Sequence, residues 1–342
     1  MPATVLIITN DHDEHANAVI LELYKRDVAV FRFHPEDVPH ACSVSLEIRD
    51  GRIEGEIKNA CHRVALDDIC AAWFRRSRNL FAGHPSLTSE RLDNYIKAQS
   101  TASVTALCAS LETLWVGNPY KLRRAEIKAL QLAEASKAGL TTPDTLISND
   151  PARAAAFVAE LGDAQCAIKP LIALGVTDAQ GYRLPLTTIL PVGHALESVA
   201  LAPNIFQPYV AKAFELRCIV IGRNIFCAKI NSQACELTRV DWRAGAREHE
   251  HFDLPEHVAA AIHRLMDSFG INFASIDMIV TPDGEFVFLE LNPNGQWLWL
   301  ENELGLPLVA SMADLLTTYH SPTQQCTDDQ SESVRRALRY VR

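Results

Sequence analysis

Two carboxylates and an amide toward the end of the chain have the types and spacing to hold a hard cation. Asn272 to Trp299 reads NFASIDMIVTPDGEFVFLELNPNGQWLW. An apolar-rich run, FASIDMIV, turns at PDGE and returns as FVFLELN, because Pro282 presets φ and Gly284 permits φ > 0. With Pro282 to Glu285 as the loop, Thr281 faces Phe286, and counting outward places Asp277 opposite Glu290. Alternation along a strand puts Glu290 and Asn292 on one face, and Asp277 joins them from across the ladder. No lysine or arginine within the hairpin neutralises them. Hard oxygen donors of this kind suit Mg²⁺, which takes one or two carboxylates and completes its shell with water and phosphate oxygens. The competing reading is a hairpin whose carboxylates face solvent, as most Asp and Glu do; the apolar flanks weigh against it.

Candidate cations lie upstream. Lys169 sits inside the apolar strand QCAIKPL, which is costly unless its ammonium reaches a partner; the alternative is a lysine snorkelling from a strand end. Glu215 and Arg217 alternate with apolar residues in FELRCIVIG and so share a face. Arg75, Arg76 and Arg78 follow the strand Ile69 to Phe74, either as an anion site at the crevice of an open α/β sheet or as a solvated loop. Asp11, His12, Asp13 and His15 could suggest a metal, but helix capping and dipole matching explain them better. His249 and His251 lack a nearby third ligand and read as exposed loop residues.

The elements that must position these groups are legible in outline. Thr4–Thr9, a helix over DHDEHANAVILELYKRD, and Val28–Phe33 make a β-α-β opening, as in a doubly wound sheet. No Gly-x-Gly-x-x-Gly follows the first strand, which removes the usual NAD fingerprint. Val44–Ile57 reads as a hairpin around Asp50-Gly51. A helical region over 86–111 leads to the short strand LWVGN and a boundary at Pro119. Tyr120–Ala138 reads as one basic amphipathic helix carrying Lys128 and stopped by Gly139. Asn149-Asp150-Pro151 reads as the N-cap of a helix over PARAAAFVAELG, residues 171–191 are loop-rich, and two strands meet at Gly222-Arg223-Asn224. Asp241-Trp242-Arg243 opens a polar loop, a helix spans Pro255–Phe269, and helices over Leu298–Leu304 and Leu308–Tyr319 close the fold before a polar tail.

Composition narrows the function. The chain has 342 residues, 48% hydrophobic and 22% charged, enough for two or three domains with sizeable cores. A formal charge of −10 argues against nucleic-acid binding. Nine scattered cysteines without a Cys-x-x-Cys pair read as reduced, mostly buried thiols rather than a disulfide frame or zinc site. MPATVLIITND reads as a first strand, not a signal peptide, and no apolar run reaches the ~20 residues of a membrane helix. The expectation is a cytoplasmic protein with no membrane partner.

RAEIKALQLAEASKAGLTTPDTLISNDP, IFQPYVAKAFELRCIVIG, DWR and FLELNPNGQWLWLENELGLP together resemble the ATP-grasp superfamily. Within it the chain is most similar to the ribosomal peptide maturases typified by microviridin ligases, with RimK-type amino-acid ligases more distant. The resemblance spans about residues 4 to 318, and Glu-x-Asn followed by Pro-x-Gly-Gln-Trp is its most restricted part. It implies an α/β (α+β) chain with a three-subdomain ATP-grasp fold: an N-terminal doubly wound parallel-sheet domain over 1–118, a central subdomain over 119–206, a C-terminal one over 207–320 and a tail over 321–342. It implies that Lys128 and Lys169 contact ATP phosphates, that Gln207, Tyr209 and Val210 form the linker meeting adenine, and that Glu215 binds ribose. Asp277, Glu290 and Asn292 would hold one or two Mg²⁺ ions, Arg217 would lie near the transferred phosphate, and Arg243 would contact substrate or phosphate. The chain departs from the pattern at Pro208, where relatives often carry Glu, and in ALGVTDAQGYRL, which is not a strong glycine-rich phosphate flap.

A carboxylate is a poor electrophile, so joining it to an amine or hydroxyl needs activation. ATP would phosphorylate it and the acyl phosphate would then be attacked, with cations neutralising the charge that develops on the phosphoryl group. The resemblance implies a precursor peptide with a leader as substrate, Asp or Glu side chains joined to Thr, Ser or Lys, and a homodimer. The alternatives are a RimK-like ligase adding free amino acids and a non-catalytic nucleotide- or peptide-binding protein.

Overall fold

The computed structural model describes residues 3–75, 89–172, 175–178, 181–183, 186–191, 193–245 and 248–318, without the side chains of 176–178 and 181–183. Two compact units emerge. The first comprises residues 1–122, 271–273 and 296–342; the second comprises 123–270 and 274–295.

In the first unit, strands β1 (Thr4–Ile8), β2 (Ala29–Phe33), β6 (Ile69–Phe74) and β7 (Leu114–Val116) form a parallel sheet in the order β2-β1-β6-β7. The chain turns from one side of β1 to the other, which is the doubly wound pattern. Helix α1 (Glu14–Lys25) starts at Asp13, whose side chain accepts the Ala16 N–H, and turns Val19, Ile20 and Leu23 inward. Strands β3 (Cys42–Arg49), β4 (Arg52–Asn59) and β5 (Arg63–Ala65) form a separate antiparallel sheet. Its first turn places Asp50 at φ 50° and Gly51 at φ 77°, as a two-residue hairpin requires. Leu6, Phe31, Phe33, Ile57 and Leu107, the last from α2 (Glu90–Ser110), share one core.

The second unit begins with a correction. The span read as one helix is two, Pro119–Ala125 (α3) and Lys128–Lys137 (α4). Gln131 folds back to donate from Nε2 to Ala125 O at 2.6 Å, which stabilises the break and sets Lys128 at the first position of α4. Strands β8 (Leu146–Ser148), β9 (Cys166–Lys169), β12 (Thr188–Ile189) and β13 (Asn204–Pro208) form an antiparallel sheet in the order β12-β9-β13-β8, and β10 (Val176–Asp178) pairs with β11 (Gly181–Arg183). Helix α5 (Pro151–Glu160) opens at Asp150, which accepts from Ala152 and Arg153 N–H, and packs Ala154 and Phe157 against Phe206.

The unit's largest sheet runs β16-β15-β14-β17-β18, from His249–Phe252 (β16), Asn224–Ile230 (β15), Phe214–Ile221 (β14), Phe273–Val280 (β17) and Phe286–Asn292 (β18). His249 and His251 therefore belong to an edge strand and not to a loop. Cys218 and Cys227 face each other across the β14–β15 pair at a Cα separation of 4.2 Å and form a disulfide, which corrects the expectation of thiols only. The Gly222-Arg223 turn, with Gly222 at φ 61°, sets the register that brings them together. Helix α6 (Glu256–Phe269) buries Val258, Ile262, Leu265 and Phe269, and ends at Gly270 in the left-handed region. Back in the first unit, α7 (Leu298–Leu304) and α8 (Leu308–Thr317) complete the fold, with α8 beside α1 and Arg26 paired to Asp314. Among the described residues no helix is long and apolar enough to cross a membrane.

Candidate active site

The hairpin places Asp277 opposite Glu290, but by a different route from simple counting. Val280, not Thr281, faces Phe286, and the register shifts at Asp277/Met278, where Met278 pairs with Phe288 and Asp277 with Glu290. Leu289 is thus the extra residue of a β-bulge, which restores the carboxylate pair. Asn292 stands opposite Ser275 and donates from Nδ2 to Glu290 Oε1 at 2.9 Å.

Neighbouring elements supply the cations that the hairpin lacks. Arg217, from β14, donates from Nη1 to both oxygens of Asp277 at 2.8 Å. Lys128, at the start of α4, donates to Glu290 Oε2. Gln131 of the same helix clamps Leu291 from both sides, donating to its carbonyl at 2.8 Å and accepting its N–H at 3.1 Å. Burial alone would raise the Glu290 carboxyl, yet Lys128 and the Asn292 amide hold it down at about 2. Asp277 behaves in the opposite way: burial raises its carboxyl and the facing Glu290 adds to that, against the pull of Arg217.

A glycine makes the geometry attainable. A Cβ on Gly295 would lie 2.3 Å from Ser275 Cβ and 3.2 Å from Arg217 Nη2. Only a residue without a side chain lets the turn after β18 lie against β17 and the guanidinium.

Around this cluster stand the remaining candidates. Lys169 ends β9, and burial first of all lowers its ammonium to about 8, with the charges of Lys128 and Lys212 acting in the same sense and Glu290 opposing. Among the described residues it makes no ion pair. Arg243 binds Asp241 through Nε at 2.8 Å and Nη2 at 2.6 Å; that hydrogen bonding raises its pKa, and Glu290 and Asp277 add to the effect from further off. Asp241 also accepts the Thr187 N–H at 3.2 Å. Glu215 is buried beside Lys212, whose Nζ donates to Oε1 at 2.6 Å.

The linker residues are placed less directly. Gln207 is buried with its amide on Thr145 Oγ1 at 2.8 Å, and Tyr209 donates its N–H to Gln165 O at 2.7 Å and its hydroxyl to Arg239 O at 3.3 Å. Val210 follows, half-buried, just beyond β13. Successive amides alternate sides, so Pro208 lacks its donor on the side away from β9, where pairing with β8 has already ended at Phe206. The strand accommodates the proline without losing a ladder bond there.

Other sequence candidates fall away. Arg75 is fully buried in a pair with Asp13 at 3.0 Å, so it is neither an open anion site nor a solvated loop residue; Arg76 and Arg78 lie outside the described residues. Asp13 caps α1, as capping logic anticipates. Among the described residues, no group of three or more His, Cys, Asp or Glu could hold a metal. Asp277, Glu290 and Asn292 offer two carboxylates and an amide oxygen, a partial, all-oxygen set that fits a cation completing its shell with phosphate and water.

The family model described as the MvdD pre-ATP grasp domain matches residues 4–123. The crystal structure of macrocyclase MdnC bound with precursor peptide MdnA, from Microcystis aeruginosa MRC, is 30% identical with a TM-score of 0.80, covering 92% of this chain and 99% of that one. This chain belongs to the ATP-grasp superfamily, in its ribosomal peptide maturase branch. A RiPP-associated ATP-grasp ligase from Chryseobacterium gregarium, solved with ADP and a leader and core peptide, is 26% identical with a TM-score of 0.85, covering 94% of this chain and 98% of that one. A RimK domain protein from Sphaerobacter thermophilus DSM 20745, 17% identical with a TM-score of 0.55 and covering 92% and 100%, shares the fold. No curated protein matches the chain. In this ATP-grasp chain, Lys212 and Asp241 are polar groups of the site that the sequence reading passes over. The signal for Lys212 is a lysine three residues before a strand glutamate, and for Asp241 an acid two residues before an arginine.

Proposed function

We propose that the chain is an ATP-dependent ligase that activates Asp or Glu side chains of a ribosomally made precursor peptide as acyl phosphates and joins them to Thr or Ser hydroxyls or a Lys amine, releasing ADP and phosphate. The observation that carries the reading is the convergence of Lys128, Arg217, Asp277, Glu290 and Asn292 in one cluster, in a chain whose fold is shared with a macrocyclase solved with its precursor peptide and a ligase solved with a leader and core peptide.

Lys169 and Lys128 bind the nucleotide's phosphates, while Gln207, Tyr209 and Val210 border adenine and Glu215 takes the ribose. Asp277, Glu290 and Asn292 would hold Mg²⁺, which when bound would supply positive charge to the phosphate chain. Arg217 stands beside Asp277, and Arg243, forked on Asp241, feels the charge of Glu290 and Asp277 from further off, so each can neutralise charge on the transferring phosphoryl group. At an effective dielectric of 20, one cation ~4 Å from a phosphate oxygen contributes about 4 kcal/mol. No nucleophilic side chain is needed, since the intermediate forms on the peptide.

The test is ADP release from Mg²⁺-ATP with and without a precursor peptide bearing its leader, with peptide mass followed in parallel. Loss of about one water mass per ADP supports side-chain ligation. A mass gain equal to an added amino-acid residue overturns it in favour of amino-acid addition. Tight nucleotide binding without turnover, with either substrate, overturns it in favour of a binding protein.

A further inference from the structure

Lys212 is the site's least expected charge. Its side chain is 2% exposed and that of its partner Glu215 is 5%. The ammonium donates to Glu215 Oε1 at 2.6 Å and to Val240 O at 3.0 Å, so its direction is set by backbone as well as by its counter-ion. A buried ion pair contributes little stability over an apolar replacement, and packing alone does not account for keeping one here. Burial pushes the Glu215 carboxyl up, and Lys212 is the main group opposing that push. The difference matters chemically: an anion accepts hydroxyl hydrogen bonds about twice as strongly as a neutral acid.

We propose that Lys212 is a positioning residue of the nucleotide site, keeping Glu215 charged and aimed so that its carboxylate accepts the ribose hydroxyls. The inference rests on the ribose reading of Glu215 given above. Lys212 does not itself touch the nucleotide; it acts through Glu215, anchored by Val240 O.

The experiment is calorimetric titration of the full-length protein with Mg²⁺-ADP, 2′-deoxy-ADP and 3′-deoxy-ADP. The wild type should prefer ADP over at least one deoxy analogue by about tenfold, the effect of a charge-assisted hydrogen bond. In Lys212→Met, ADP affinity should fall to the level of that analogue while the analogue's own affinity stays within about twofold, as it should in Glu215→Gln. Lys212→Gln guards against a folding failure of the Met variant, because its amide can still bridge Glu215 and Val240 without charge; its preference for ADP should drop to about threefold. Equal loss for all three nucleotides, or an unchanged preference in Lys212→Gln, overturns the positioning role. No ribose preference in the wild type, with Glu215→Gln equally silent, would instead overturn the ribose reading and the inference with it. A preference lost in Glu215→Gln but kept in both Lys212 variants would overturn the inference alone.

Discussion

Two buried Arg–Asp pairs, one in each unit, use the same chemistry for different ends. Asp13 and Arg75 have side-chain exposures of 3% and 0%; Asp277 and Arg217 have 12% and 9%. In the first pair each partner has other fixed work: Asp13 caps α1, the Arg75 amide bonds Ile8 O, and the guanidinium lies 5.8 Å from the Trp73 ring centroid. The second pair faces another carboxylate, Glu290, which pushes the Asp277 carboxyl up together with burial. Burial alone therefore does not distinguish the proposed reaction site from a structural pair; the second carboxylate across the ladder does.

Breaking each pair at its arginine tests this. Arg75→Met strands Asp13 in the core and should lower unfolding free energy by about 3–5 kcal/mol in denaturant titrations, with ADP affinity of the folded protein unchanged. A loss under about 1 kcal/mol would contradict a structural role. Arg217→Met should reduce ADP release by about two to three powers of ten, the scale of losing one preorganised charge-stabilising donor, with ADP affinity changing far less. If Arg217→Met only destabilised the protein and left turnover per folded molecule intact, the two pairs would be alike after all.

The same contrast shows what is readable before folding. Asp277 opposite Glu290 is legible because strand period and turn chemistry are local, although the bulge at Leu289 compensates for a turn one residue out of step. The role of Arg75 is not legible: its burial depends on Asp13, far away in sequence, and the same Arg-rich stretch would suit solvent. The break between α3 and α4 is hidden because Gln131 supplies the stabilising bond from within an otherwise regular helical pattern. The Cys218–Cys227 pair becomes visible only once register is known, and the burial of Lys212 only once the fold is. Periodic elements and the Asp277–Glu290 pairing can thus be read from strand and turn rules, whereas the partner that each cation meets depends on contacts between elements distant in sequence.

Glycines next to the two regions sharpen the comparison at smaller amplitude. Gly295→Ala would press Cβ on Ser275 and Arg217, and Gly117→Ala, at φ 73°, would press it 2.8 Å from Phe74 O. Both should cost about 1–3 kcal/mol of stability, as overpacking does. On the proposed function only Gly295→Ala should also lower turnover, by about tenfold, the effect of a ~1.4 kcal/mol rise in barrier, because only it presses on the Arg217 guanidinium. Equal turnover in the two variants, measured well below their melting temperatures, would detach Gly295 from the chemistry.

The smallest effect separates guanidinium from ammonium. A guanidinium in general carries its charge at any working pH, whereas burial lowers the Lys169 ammonium to about 8 from an ordinary 10.5. Lys169 is protonated and able to bind phosphate below pH 8 and loses that charge above it, so ADP affinity should weaken by up to about tenfold per pH unit from 8 upward. Stability carries the opposite sign. Between about 8 and 10.5 the unfolded chain holds this proton more tightly than the native protein, so the Lys169 contribution to stability rises with pH over that window. Lys169→Met removes the titrating group, and its ADP affinity should be weak and flat from pH 7 to about 9.5, isolating both trends by difference. A wild-type affinity equally flat over that range would show that Lys169 does not meet the phosphates, leaving phosphate binding to cations that do not titrate there.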